Sequence, residues 1–163
     1  MRVEPKAQRC LTKRRSALLG AMLLISTAAY AETGAEAWLR YTPVDSHSYT
    51  MLPSRVVALG TSPIERSAAN ELARGLSSML TRNETLTSLN QHRPAIILGT
   101  LEELRTANIT LPQAQPTGSE AFSITHRAND WIIAGNKPAG VLYAAFRLLA
   151  LIAQQQPLPD SLT

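Results

Sequence analysis

Residues 55–65 read RVVALGTSPIE, and the period of the chain changes inside them. Arg55 to Leu59 is a short β-branched run stopped by Gly60, the pattern of a buried strand. Ser62 then offers a cap, Pro63 suits a first helical position, and Glu65 stands three residues after Ser62, as a capping box requires. From there apolar residues recur at Ile64, Ala68, Leu72, Leu76 and Leu80, with Ala69 and Met79 widening the stripe. Arg66, Asn70, Glu71, Arg74 and Ser78 take the other faces, so one amphipathic helix is expected to about Arg82. Gly75 inside it costs about 1 kcal/mol relative to Ala, for which close backbone approach and simple tolerance are equal explanations.

The strand motif returns downstream. Residues 83–94 are polar and loop-like; Ala95 to Leu98 is a second apolar run, again followed by Gly99 and Thr100. Strand, helix and strand in so short a span predict a crossover between two parallel strands. Leu101 to Ala107 fits a short helix, and Leu111 to Gly118, with two prolines and a glycine, is irregular. Phe122 to His126 and Trp131 to Ala134 flank a turn at Arg127 to Asp130, the pattern of a two-stranded hairpin. Upstream, Glu32 to Ser54 is expected to be mostly extended. The order β-α-β-β-β-α describes an α+β domain, a small mixed sheet with helices mainly on one face.

The last helix differs from the first. Pro138 precedes Ala139 to Ala153, AGVLYAAFRLLALIA, whose one charge is Arg147. A helix on one side of a sheet is polar outside; one apolar nearly all round is covered on both sides. It is short for a membrane span and is stopped by Gln154 to Gln156, Pro157 and Pro159. A further domain or another subunit is therefore expected over its outer face, with Tyr143, Phe146 and Leu149 as the packing residues.

Charge and targeting signals bound the function. The 163 residues carry 16 Lys+Arg against 12 Asp+Glu. Six of the basic groups and one acidic group fall in residues 1–31, which leaves ten against eleven, a net of −1. No basic footprint for nucleic acid remains there. A basic segment, an apolar run from Ser16 to Ala29 and the small–large–small Ala29, Tyr30, Ala31 make residues 1–31 a signal peptide, cut between Ala31 and Glu32. The run is too short for a stable membrane span, which takes about 20 apolar residues. Export to the periplasm or the medium follows, by the general route or, given Arg14 and Arg15, the twin-arginine one. Cys10 would leave with the signal, so the mature chain has no disulfide.

Within the mature chain no grouping spells out a reaction. His47, His92 and His126 are isolated, without metal-ligand spacing. Asp45, Ser46 and His47 hold the letters of a triad, but a polar loop explains them better. The two strand–Gly–Thr turns lack a phosphate-loop pattern and read as ordinary strand-to-helix connections. Glu102 and Glu103 diverge on a helix and suit a solvated face. Asn83 to Thr85 and Asn108 to Thr110 fit the glycosylation sequon, which has meaning only in a eukaryotic secretory route.

One set of residues, taken in order, does point to a family. Trp38 to Tyr41, Leu59 to Pro63, Ala68 to Leu76, Ile97 to Thr100, Gly118 to Phe122 and Gly140 to Leu149 resemble the N-terminal domain of glycoside hydrolase family 67 α-glucuronidases. Ala121 and Ala144 stand where that family usually has glycine. The resemblance implies an α+β domain at residues 32–158 like that preceding the barrel in β-hexosaminidases, with residues 159–163 the start of a linker to a catalytic (β/α)8 barrel. It implies hydrolysis, without a cofactor, of terminal α-1,2-linked glucuronic acid or its 4-O-methyl form from xylo-oligosaccharides. The acid and base belong to the barrel, so no catalytic, cofactor or metal residue is expected among these 163, and the chain alone is expected to be inactive. Two other readings stay open: a free-standing module packing its last helix on a partner, and the N-terminal domain of a hexosaminidase-type hydrolase.

Overall fold

The computed structural model describes residues 41–90, 92–111 and 115–163. The expected signal peptide, its expected cleavage point between Ala31 and Glu32, and Trp38 to Arg40 lie outside the described residues. Beginning at Tyr41, the chain makes a 3-10 turn at Ser46–Tyr49 and then β1, Arg55–Ala58. The first long helix, α1, runs Pro63–Leu80, followed by β2 at Thr85–Leu86 and β3 at Ile96–Thr100. A short helix α2, Leu101–Thr106, precedes the hairpin of β4, Phe122–Arg127, and β5, Asp130–Gly135. The second long helix, α3, occupies Pro138–Ala153, and β6, Ser161–Leu162, comes last.

The six strands form one sheet in the order β2-β1-β3-β5-β4-β6. β2, β1, β3 and β5 are parallel, with Val56 opposite Ile96 and Ile97 opposite Ile132. β4 is antiparallel to β5 and to β6, placing Ile124 beside Ile133 on one side and Leu162 on the other. The mixed α+β sheet expected from the apolar runs is thus present, with the predicted parallel pair β1 and β3 as neighbours in it.

Alternation along the strands divides the core into two layers. Val56, Ile96, Leu98, Trp131 and Ile133 face α1 and α3, which supply Leu72, Leu76, Met79, Leu148 and Ile152. Val57, Ile97, Ile132 and Ala134 face the other way, toward Leu104 of α2. Both long helices therefore share one face, and the short one covers the other.

Several elements differ from the sequence expectation. α1 ends at Leu80 because Thr81 turns left-handed, at φ 51°, and returns its N–H to the Ser77 carbonyl. The polar stretch expected as loop contains β2, whose two exposed residues pair with Arg55 and Val56. The 3-10 turn interrupts the extended N-terminal segment, with Asp45 accepting from the His47 amide. Ser161–Leu162, in the segment expected as linker, pair with β4, and the Asp160 carbonyl accepts from His126 N. Pairs of residues show no period, so neither short strand could be read from apolar alternation.

Gly75 has a steric reason. A Cβ there would stand 2.6 Å from Leu149 Cδ2 and 2.9 Å from Tyr41 Cζ, so the missing side chain is what lets α3 and the Tyr41 ring approach α1. Close approach, one of the two explanations weighed above, is the one realised.

Candidate functional site

The outer surface of α3 follows from its packing. Val141, Ala144, Ala145, Leu148 and Ile152 are buried against the sheet and α1, and Leu151 is buried as well. Tyr143 and Phe146 emerge on the remaining side, 45% and 38% exposed, with Arg147 exposed beside them. Residues 139, 143, 146 and 150 follow the four-three-four spacing of one helical face, and Ala139 and Ala150 are half-buried there. Leu149 differs from the expectation that grouped it with the outward residues. It is 2% exposed, because its place on the helix turns it toward Gly75 inside the domain. The apolar patch is therefore narrower than the composition of α3 suggested: two aromatic rings on a floor of small residues.

A second constellation lies where β1 and β3 end. From β1 the chain turns into α1 on one face; from the neighbouring β3 it turns into α2 on the other. Such divergence at the carboxyl ends of parallel strands opens the crevice in which open α/β sheets hold their ligands. Here two glutamates fill it. Glu65 closes a capping box with Ser62: its N–H donates to Ser62 Oγ at 3.2 Å, and Ser62 Oγ donates to Glu65 Oε2 at 2.6 Å. Glu103 does the same with Thr100, whose N–H donates to Glu103 Oε2 at 2.8 Å. A Cβ on Gly60 would overlap the Glu65 carboxyl, and one on Gly99 would come within 3.3 Å of Glu103 Oε2.

The two carboxyl groups lie within hydrogen-bonding reach of each other. Burial is the main influence raising the pKa of Glu65, helped by Glu103 and opposed by Ser62. For Glu103 burial also acts upward, but hydrogen bonds from Glu65 and Thr100 outweigh it and hold the group below the usual carboxylate range. Of the two, Glu65 is the group that holds its proton to the higher pH and Glu103 the one that ionises first. Glycoside hydrolysis needs carboxyl groups about 5–9.5 Å apart with a sugar between them. A pair in mutual contact, one member 2% exposed, has no room for a substrate. Reading the sequence for paired acids missed this constellation; Thr100-x-x-Glu103, a second capping box in the same position after a second strand–Gly–Thr turn, was its available signal.

A third cluster ties the start of the described chain to α1. Tyr41 OH donates to Glu71 Oε1 at 2.5 Å, and Arg74 grips Glu71 through Nε at 3.2 Å and Nη2 at 2.8 Å. The guanidinium also lies 5.8 Å from the Tyr41 ring centroid. Burial, then the bond to Glu71, raises the Tyr41 pKa. Of the motif Trp38 to Tyr41, this last residue is described, and it is a packing group.

Other candidates resolve into structural roles. Asp45, Ser46 and His47 form the capped 3-10 turn, as a polar loop would. His92 is exposed, its amide held by Asn90, while His126 stacks on Trp131 with centroids 5.0 Å apart. Glu102 is exposed and Glu103 turns inward, so only the first of the doublet has the solvated place expected of both. Asn83 and Asn108 are exposed. Among the described residues no three His, Cys, Asp or Glu side chains converge as a metal site, and no helix is long and apolar enough to cross a membrane.

The sequence profile described as "Glycosyl hydrolase family 67 N-terminus" matches residues 37–148. Alpha-glucuronidase A of Aspergillus tubingensis is 39% identical over 141 residues, covering 82% of this chain. A probable alpha-glucuronidase A of Aspergillus oryzae is 32% identical over 146 residues, covering 86%. This chain spans 16% of the first relative's length and 17% of the second's. A solved structure described as a family GH115 4-O-methyl-alpha-glucuronidase with specificity for decorated arabinogalactans aligns with TM-score 0.50 and 18% identity. It covers 69% of this chain, which is 16% of that one, and is a likeness of fold.

Proposed function

This chain belongs to glycosyl hydrolase family 67 through its N-terminal domain, and from that premise we propose that it is the non-catalytic N-terminal domain of an exported α-glucuronidase. The observation that carries the reading is the family match across residues 37–148. On this reading hydrolysis belongs to a catalytic barrel outside these 163 residues. The substrate is xylo-oligosaccharide bearing terminal α-1,2-linked glucuronic acid or its 4-O-methyl form, and the reaction is a step of xylan breakdown. Residues 1–31 direct export to the periplasm or the medium and are removed after Ala31.

The outer face of α3 supports the role of a buttress. Two exposed aromatic rings over small residues suit burial against another protein surface more than water. Tyr143 and Phe146 are the proposed contacts with the barrel; Leu149, being internal, supports α3 from beneath. The Glu65–Glu103 pair is too close to flank a glycosidic bond, which agrees with chemistry performed elsewhere.

The test is direct. The 163-residue chain is incubated with a 4-O-methylglucuronosyl xylo-oligosaccharide, and released uronic acid is measured. No release above the buffer control is expected, and turnover at a constant rate per mole of chain would overturn the proposal. In a longer enzyme that also contains the barrel, Phe146→Asp should lower the thermal midpoint by several degrees. An unchanged midpoint would remove α3 from the interface.

A further inference from the structure

Adjacent strands end in the same device twice, and the two copies meet. β1 is followed by Gly60 and the Ser62–Glu65 box, β3 by Gly99 and the Thr100–Glu103 box. Because β1 and β3 are neighbours in parallel, with Ala58 opposite Leu98, equivalent turns fall side by side. Each glutamate folds back over its own turn, and the two carboxyls fill the crevice between α1 and α2.

Hydrogen-bond accounting then leaves one oxygen that a shared proton would serve. Glu65 Oε2 is supplied by Ser62, and Glu103 Oε2 by the Thr100 amide. Glu65 Oε1 is buried with no donor from the protein. The groups acting on Glu65 are Glu103 from α2 and Ser62 from its own cap. Those acting on Glu103 are Glu65 from α1 and Thr100 from the end of β3. No lysine, arginine or histidine among the described residues contributes to either. Two bare carboxylates in contact would set like charges together with Glu65 buried and Glu103 half-buried, whereas a single proton satisfies both.

We propose that Glu65 and Glu103 form a one-proton latch joining the first turns of α1 and α2, and that loss of this proton releases α2 from the strand-end crevice. The asymmetry of the helices decides which side yields. α1 has 18 residues and packs Leu72, Leu76 and Met79 into the main core. α2 has six and is anchored to the smaller layer by Leu104. A helix of that length does not hold by itself in water.

The sign follows from the two directions. The raised Glu65 pKa means that its contribution is present in acid and lost as pH rises through that raised value. The lowered Glu103 pKa means that its contribution is present above the ordinary glutamate range and lost as pH falls through its lowered value. The latch is therefore closed in the window between and opens on the alkaline side.

Amide exchange read by NMR on the full chain, corrected for the intrinsic pH dependence of exchange, gives the test. Protection at Glu103 and Leu104 is expected to fall at least tenfold as Glu65 deprotonates, while protection in the centre of α1 holds. Glu65→Gln, whose amide can donate to Glu103 at any pH, should abolish that fall. Equal losses in wild type and Glu65→Gln, or protection of α2 indifferent to pH, would sink the latch. Should that variant not fold, titration of the side-chain carboxyl carbons in the 13C-labelled wild type decides instead. Two well-separated steps, the higher belonging to Glu65, are expected, and two ordinary superimposed steps count against it. Restoration of α2 at high pH by calcium or magnesium alone would assign the crevice to a cation and overturn the proton.

Discussion

α1 and α3 lie on the same face of one sheet and touch each other at Gly75 and Leu149, yet their outer surfaces are made differently. α1 turns Arg66, Ser67, Asn70, Arg74 and Ser78 to water, and Ile64 is its single large exposed apolar group. α3 turns out Tyr143 and Phe146, with Arg147 its one charge. The same sheet, backbone geometry and core cannot account for this difference. Burial within the domain explains the inner stripes of both helices but only the outer stripe of α1, which is suited to solvent. The outer stripe of α3 has no such account within the domain, the contact with the barrel proposed above would supply one, and the two requirements can be separated by mutation.

Leu149→Ala strikes the inner requirement hardest. Removing a fully buried side chain at the α1–α3 contact should cost about 2–5 kcal/mol, read from urea unfolding. A loss below about 1 kcal/mol would mean that the site collapses freely, and that the two helices are less interdependent than their contact implies. Next comes Tyr41→Phe, which deprives Glu71 of a short hydrogen bond and should cost about 1.5 kcal/mol at neutral pH. Because the Tyr41 pKa is raised, that stabilisation is complete below the ordinary tyrosine value and is lost as pH climbs through the raised one. The wild type should therefore lose stability in strong alkali more steeply than Tyr41→Phe does, and parallel profiles would refute the assignment.

Gly75→Ala sets two effects against each other. Overpacking against Leu149 and Tyr41 costs about 1–3 kcal/mol, while alanine returns about 1 kcal/mol of helix propensity. A net loss of about 1 kcal/mol is expected, and combining it with Leu149→Ala should relieve part of it. Strict additivity in that cycle would show that Leu149 is not the obstacle. Phe146→Ser should have the smallest effect on the domain by itself, within about 0.5 kcal/mol, since a partly exposed ring adds little to the internal core. A large loss would return Phe146 to the inner requirement and erase the contrast between the helices.

The legible parts of the fold were those with a period or a cap. RVVALGTSPIE foretold β1 and α1 because a β-branched run and a capping box occupy consecutive residues. The hairpin of β4 and β5 was readable from two apolar runs about a short polar turn. β2 and β6 were hidden, since two residues carry no alternation and owe their strand form to neighbours at the sheet edge. Leu149 was misjudged because a helix apolar on every side does not reveal which residues face inward. The carboxyl pair escaped for a different reason. Its members are 38 positions apart, and only the pairing of β1 with β3 brings their turns together.

Those two short edge strands have a consequence for the domain's behaviour in concentrated solution. A sheet grows into fibrils by recruiting another chain along an open edge, and a long flat edge is the template for it. β2 and β6 offer two residues each, so among the described residues no long, flat strand stands at either edge of the sheet. An edge that short is a poor template for cross-β growth, so the sheet gives a neighbouring chain little backbone to extend.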